Sequence, residues 1–157
     1  MPASGTKPAF IQSFEPMSYL LVAAQFLLIP LLAWPFTPPV FNWLNLGLFG
    51  VGLALALAAV ITMGTHTISV LPEPRAGGEL VTRGIYRMVR HPMYLAVLLC
   101  ALGACLAYQS NAKWLLFAML AAVLAVKIRR EERLLRQRFT AYAAYARRTP
   151  ALLPFIF

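Results

Sequence analysis

Only five of the 157 residues are acidic, all of them glutamates, against fourteen lysines and arginines. Two of the five, Glu131 and Glu132, are adjacent and sit among arginines. Projected at about 100° per residue, the stretch from Lys127 to Ala146 reads as one amphipathic helix. Ile128, Leu135, Phe139, Tyr142 and Ala146 form its apolar stripe, and Arg129, Arg130, Arg133 and Arg136 lie opposite. Glu131 and Glu132 flank the stripe, one on each side of its centre line. A carboxylate turned inward at a membrane surface is costly unless it is paired. Glu132 has Arg136 at i+4, an ordinary helix pair. Glu131 has leucines at i+3 and i+4, and only Lys127, in the less favourable order, lies within a turn. Two readings follow. Either both acids pair with basic neighbours, or at least one awaits a cationic or hydroxyl-rich ligand.

The stretch from Leu80 to Tyr94 supplies the opposite charge. Pro92 suits the first turn of a helix, with His91 beside its start. Such a start offers unpaired N–H groups and a positive dipole end. Arg90 and His91 add donors there, which suits a carboxylate or phosphate. Tyr94 falls about one turn in, and Gly84 permits a tight turn. For the arginines singly, a basic helix start with an interfacial tyrosine is the plainer reading. Taken together, a cationic corner (Arg90, His91) and an anionic corner (Glu131, Glu132) suit a zwitterionic ligand. His66, just past Gly64, reads as an interfacial polar residue. Gly50 and Gly52 read as close helix packing. No metal site follows from Cys100 and Cys105, which point to different helix faces and read as buried small hydrophobes.

The elements that must hold these corners are apolar. Hydrophobic residues make up 61% of the chain and charged residues 12%, and mean hydropathy is +0.71. That balance argues against a water-soluble globule. Four segments have the composition of spanning helices, near 17–34, 43–63, 92–108 and 113–128. Lys113 and Lys127 are placed to snorkel from the ends of the fourth. Trp34, Trp43, Tyr108 and Trp114 mark the ends, as an aromatic belt would. The net charge of +9 concentrates in two places. Arg75, Arg83, Arg87 and Arg90 lie between the second and third segments, and eight basic residues lie from Lys127 onward. By the positive-inside rule both regions are cytoplasmic, and four spans put both termini there, in a bacterial-type inner membrane or similar. The bases sit where anionic lipid headgroups explain them, so nucleic acid is not an expected partner. The first fourteen residues are polar and carry no signal-peptide pattern. The expected fold is an all-α integral membrane protein. It has about four transmembrane helices plus a cytoplasmic amphipathic C-terminal helix, in one domain covering 1–157.

The run from Leu80 through Arg90-His91-Pro92-Met93-Tyr94 resembles the signature of the isoprenylcysteine carboxyl methyltransferase family, which is related to phospholipid methyltransferases. Glu131-Glu132 followed by Leu135, Phe139, Tyr142, Tyr145 and Pro154 extends the likeness, which covers roughly residues 60–157. Ala96, Thr140 and Lys127 depart from it, standing where the family often has Gly, Gly and Arg. The resemblance implies a membrane enzyme using S-adenosylmethionine, held by the parts 80–94 and 127–157. Carried over, the cofactor-site residues are Leu80, Val81, Gly84, Tyr86, Arg90, His91, Tyr94, Glu131 and Glu132. In that reading Arg90 and His91 hold the cofactor carboxylate, and one glutamate holds its ammonium or ribose. The acceptor is a lipid-like or amphiphilic carboxylate, amine or thiol, and no catalytic base is identified. Two other readings stand beside it. Membrane sterol reductases share the C-terminal architecture but carry tail motifs absent here. A non-catalytic four-span protein, such as a transporter, should show ionisable groups within its spans, and these spans hold them only at their ends.

Overall fold

The computed structural model describes residues 16–35, 37–64 and 79–152. His66, Arg75 and Pro154 lie outside the described residues, as does the N-terminal stretch before Pro16. Among the described residues all regular structure is helical. The helices are α1 (Pro16–Ala33), α2 (Trp43–Met63), α3 (Pro92–Tyr108), α4 (Asn111–Arg138) and α5 (Tyr142–Arg148), with a 3-10 turn at Gly84–Arg87. Helices α1, α2 and α4 are long and apolar enough to cross a membrane, and α3 is a shorter apolar helix. The chain is thus an all-α membrane protein.

Local sequence explains the boundaries. Asn42 caps α2: its side chain accepts from the Leu44 and Asn45 amides, and Asn45 answers its backbone N–H, the reciprocal arrangement of a capping box. Pro92 opens α3 where its missing N–H costs nothing. Helix α3 ends at Gln109, in the left-handed region at φ 48°. Ser110 then starts α4, and this two-residue link makes α3 and α4 an antiparallel hairpin.

Small residues bring α2 and α3 together. A Cβ at Gly52 would stand 2.6 Å from Cys100 Sγ and 3.0 Å from the Ala96 carbonyl oxygen. One at Gly103 would stand 3.2 Å from the Asn45 carbonyl oxygen. The packing role expected of Gly52 holds, whereas Gly50 has open space around it. Leu28 and Leu32 of α1 meet Ala101 and Cys105 of α3 and Leu120 and Leu124 of α4 in the core. Both cysteines are free, and Cys105 is buried. Leu20, Leu27, Ile61 and Leu115 face outward, as surfaces in contact with lipid do.

Two expectations need correction. Lys113 and Lys127 do not snorkel outward; both are buried. Lys113 Nζ donates to the Leu31 and Leu32 carbonyls at 2.8 and 2.7 Å, and to that of Trp34. It thereby supplies a cation and donors to the C-terminal end of α1, where helix carbonyls lack partners. Nor is the stretch 127–146 one helix. Helix α4 stops at Arg138, Phe139 adopts an extended conformation (φ −119°, ψ 112°), and α5 begins at Tyr142. No glycine or proline marks this break. Tertiary bonds to the α5 end, described next, hold the chain folded back.

Candidate active site

The site begins at Gly84. Its φ of +56° is a conformation that glycine adopts without strain. A Cβ there would also lie 2.7 Å from Thr62 Oγ1. The 3-10 turn that follows buries Tyr86, whose carbonyl accepts from Tyr145 Oη at 2.6 Å. The chain then reaches Arg90 and His91, whose backbone amides donate to the Pro150 and Ala151 carbonyls at 2.9 and 3.0 Å. The segment after α5 is therefore stitched to the start of α3.

Arg90 completes the clasp. Its Nε donates to Glu132 Oε1 at 2.8 Å, and its Nη1 donates to the carbonyls of Ala146 and Thr149. Arg136 approaches the other Glu132 oxygen at 3.8 Å. His91 Nε2 lies 3.3 Å from Glu132, and its Nδ1 lies 3.7 Å from Glu131. The sequence placed a cationic and an anionic corner on opposite sides of a ligand. The structure instead brings Arg90 and Glu132 into direct contact. Burial alone would raise the Glu132 carboxyl, but hydrogen bonds from His91 and the Arg90 guanidinium override it and hold it down at about 2. Arg90 is thus committed to Glu132 and to the end of α5, where bare carbonyls favour a cation.

Glu131 is placed differently. It accepts from Tyr94 Oη at 2.9 Å and lines a cavity of about 670 Å³ between the helices. That volume falls within the range of small-molecule sites, about 300–1,000 Å³. Seven of the nine expected cofactor residues line it: Leu80, Val81, Tyr86, Arg90, His91, Tyr94 and Glu131. Gly84 and Glu132 do not; one shapes the turn and the other closes the clasp. Further along, the walls become apolar, with Phe26, Ile29, Leu53, Val97 and Ala101 among them.

Among the polar lining residues outside the expected set are Gln25, Glu79, Lys127, Tyr142 and Tyr145. Tyr142 is 1% exposed, and its hydroxyl has no hydrogen-bond partner. Burial raises the Tyr142 phenol, with the Glu132 carboxylate adding to the effect, so it stays protonated and able to donate. Its place on the apolar stripe marked it only as core. Gln25 gave no signal, being one uncharged residue in an apolar span. No group of three or more His, Cys, Asp or Glu that could hold a metal ion occurs among the described residues.

A model of the phospholipid methyltransferase family matches residues 40–142. The chain belongs to that family. Helix α1 precedes the matched region, and all of α5 after Tyr142 follows it. Over 112 residues the chain is 38% identical to the cobalt-zinc-cadmium resistance protein CzcN of Cupriavidus metallidurans, covering 71% of this chain and 49% of that protein. It is 37% identical over 115 residues to the nickel-cobalt-cadmium resistance protein NccN of Alcaligenes xylosoxydans xylosoxydans, covering 72% and 53%. It is also 34% identical over 110 residues to protein-S-isoprenylcysteine O-methyltransferase B of Arabidopsis thaliana, covering 67% and 55%. The chain spans about half the length of these relatives. The family member described here thus draws Gln25 and the Arg90-bonded end of α5 from outside the family match.

Proposed function

We propose that this chain transfers a methyl group from S-adenosylmethionine to a nucleophile on a lipid-like acceptor. The observation that carries the reading is that one cavity joins an ionisable end at Glu131 to an apolar remainder among membrane helices. Family membership supports it, as does the fit of the polar end to the cofactor. Glu131 offers a carboxylate to an ammonium, the Tyr142 hydroxyl lacks a partner, and Tyr86, Tyr94 and Tyr145 offer aromatic walls. When bound, S-adenosylmethionine supplies a methyl group already activated on a sulfonium.

The residues here would bind, orient and exclude water. Glu131 would hold the ammonium, with Tyr94 fixing the carboxylate through its hydroxyl. Tyr142 would donate to a cofactor oxygen. Leu80 and Val81 close one wall, and His91, stacked on Tyr94 at 5.6 Å between ring centroids, closes another. Arg90 keeps α5 over this end through its bonds to Ala146 and Thr149. Catalysis would then rest on positioning and dryness rather than on a covalent nucleophile. The exposed arginines 129, 133, 147 and 148 would rest on anionic headgroups at the cytoplasmic face, with both termini on that side.

Calorimetric titration of S-adenosylmethionine into the purified chain tests the reading. Binding should appear in the wild type. Glu131→Gln should weaken it by a factor of about 30 or more, as loss of one desolvated charge partner does. Tyr142→Phe should weaken it by roughly tenfold. No binding by a folded wild type would overturn the proposal.

A further inference from the structure

The polar end of the cavity is where the cofactor fits; the opposite end is shut by a different set of bonds. On α3 the lining residues include His91, Tyr94, Val97, Ala101, Ala104 and Tyr108. They recur every three or four positions and so share one helix face. They begin just before α3 and finish at its last residue. The cavity is thus a groove that follows α3 from end to end. Between Tyr94 and Tyr108 this face is apolar, and the alanines leave room for a ligand.

The link between α1 and α2 crosses the far end. Thr37 Oγ1 donates to the Tyr108 carbonyl at 2.9 Å, and the Val40 amide donates to the Ala107 carbonyl at 2.8 Å. Tyr108 Oη donates to the Ala33 carbonyl at 3.1 Å. Lys113, fully buried, holds the Leu31, Leu32 and Trp34 carbonyls, and its ammonium stands 4.5 Å from the centre of the Tyr108 ring. The last carbonyls of α1 and α3, which lack helical partners, thereby pin the link in place. Ala33, Phe41, Ala107 and Tyr108 line the cavity, so the fastened residues are its floor. Ala33, Trp34 and Thr37 precede the family match, which makes part of this floor a property of this chain.

We infer that the floor limits the length of the acceptor's apolar tail, and that Ala104 and Ala107 are the specificity-determining residues that set the limit. The inference rests on the methyl-transfer reading above and gives its lipid-like acceptor a length, whatever the head group. Direction follows from desolvation, because a buried head must keep hydrogen-bond partners. The unpaired Tyr142 hydroxyl and Glu131 lie at the polar end, whereas Thr37 and Tyr108 at the floor are bonded to backbone carbonyls. From Tyr94 to Tyr108 the helix rises about 21 Å, at about 1.5 Å per residue. An extended tail advances about 1.2 Å per bond, so roughly 17 carbons reach the floor. Ala104 lies about 15 Å along, so a large side chain there would stop the tail near roughly 12 carbons. A tail that leaves lipid for the groove exchanges one apolar surrounding for another. Length selection therefore comes from the floor's resistance to overfilling, not from a gain per methylene.

The test uses the full chain in phospholipid nanodiscs, with 1-alkanols of 8, 16 and 22 carbons that carry a diazirine at the tail terminus. Peptide mass spectrometry locates the photolabel. The 16-carbon probe should label Phe41 and residues 104–108, and the 8-carbon probe should label near Val97 and Ala101. The 22-carbon probe should label the floor roughly tenfold less than the 16-carbon one, the cost of overfilling a packed apolar site. In Ala104→Phe the 16-carbon label at 105–108 should fall by roughly tenfold, while the 8-carbon label stays and shows that the variant is folded. Ala107→Leu should give the same loss with a smaller side chain. The inference is overturned if the 8- and 16-carbon probes label the same residues, or if the 22-carbon probe labels the floor as well as the 16-carbon one. Floor labelling that excess unlabelled hexadecanol does not remove would also overturn it. Calorimetry on the same nanodiscs separates the two proposals. S-adenosylmethionine binding with ungraded labels removes the length limit alone. Graded labels without that binding remove the methyl-transfer reading and leave the groove.

Discussion

Replacing Glu132 by alanine should loosen the whole cytoplasmic end, whereas Glu131→Gln should leave stability nearly unchanged. The difference follows from the partners. Glu132 faces a guanidinium at 2.8 Å, with the Arg90 and Glu132 side chains only 7% and 16% exposed. Removing one member of a buried pair leaves the other uncompensated, at a cost of about 3–5 kcal/mol. Here Arg90 keeps the carbonyls of Ala146 and Thr149, so a cost below that range, about 2–3 kcal/mol, is expected. For a chain of this size that corresponds to a melting temperature lower by roughly 4–12 °C. Glu131→Gln keeps an oxygen for the Tyr94 hydroxyl and breaks no short ion pair, so its shift should stay within about 2 °C. Cys105, fully buried in the core, is a natural reporter. In a Cys100→Ser background, thermal unfolding in detergent can be followed with a thiol-reactive fluorophore that labels Cys105 on exposure. The assignment of separate roles fails if the two variants melt together, or if Glu132→Ala melts with the wild type.

Acid should act through the same pair. The Glu132 carboxyl is held at about 2 against an ordinary 4.5. A lowered folded-state value means that its contribution is complete above 4.5 and is lost as pH falls towards 2. Melting temperature measured over that window should fall more steeply in the wild type than in Glu132→Ala. Gly52→Leu should fail by overpacking, because even a Cβ would lie 2.6 Å from Cys100 Sγ. A loss of about 1–3 kcal/mol or more, read as a lower melting temperature, is expected, with Gly50→Leu as the tolerated control because open space surrounds it.

The fold was largely legible because its signals are long. Four apolar runs and Pro92 at a helix start place α1, α2, α3 and the start of α4 to within a residue or two. The break after Arg138 was not legible. Nothing in Gln137-Arg138-Phe139-Thr140 opposes a helix strongly, and the chain turns there because Arg90, distant in sequence, binds the carbonyls of Ala146 and Thr149. The buried lysines were misread for a related reason. A lysine near the end of an apolar run looks like a snorkelling one, and only the approach of the α1 carbonyls and Gln25 turns Lys113 and Lys127 inward. The site residues were found because their types are rare in this composition. How they pair was hidden, because spacing along the chain does not say whether opposite charges face a ligand or each other.

The adjacency of Glu131 and Glu132 explains how two identical side chains take different parts. Consecutive helical residues point about 100° apart, so one helix position can turn one carboxylate to a neighbouring segment and the next to a cavity. Glu132 meets Arg90 and fastens the end of α5; Glu131 meets Tyr94 and the cavity. His91 lies between them, within 3.3 Å of one and 3.7 Å of the other, so the clasp and the binding wall share a ring. A helix break that separated the two acids would uncouple these parts. The continuous turn of α4 through Glu131 and Glu132, well before its end at Arg138, is what keeps the fastening of α5 and the orientation of the ligand-facing carboxylate in register.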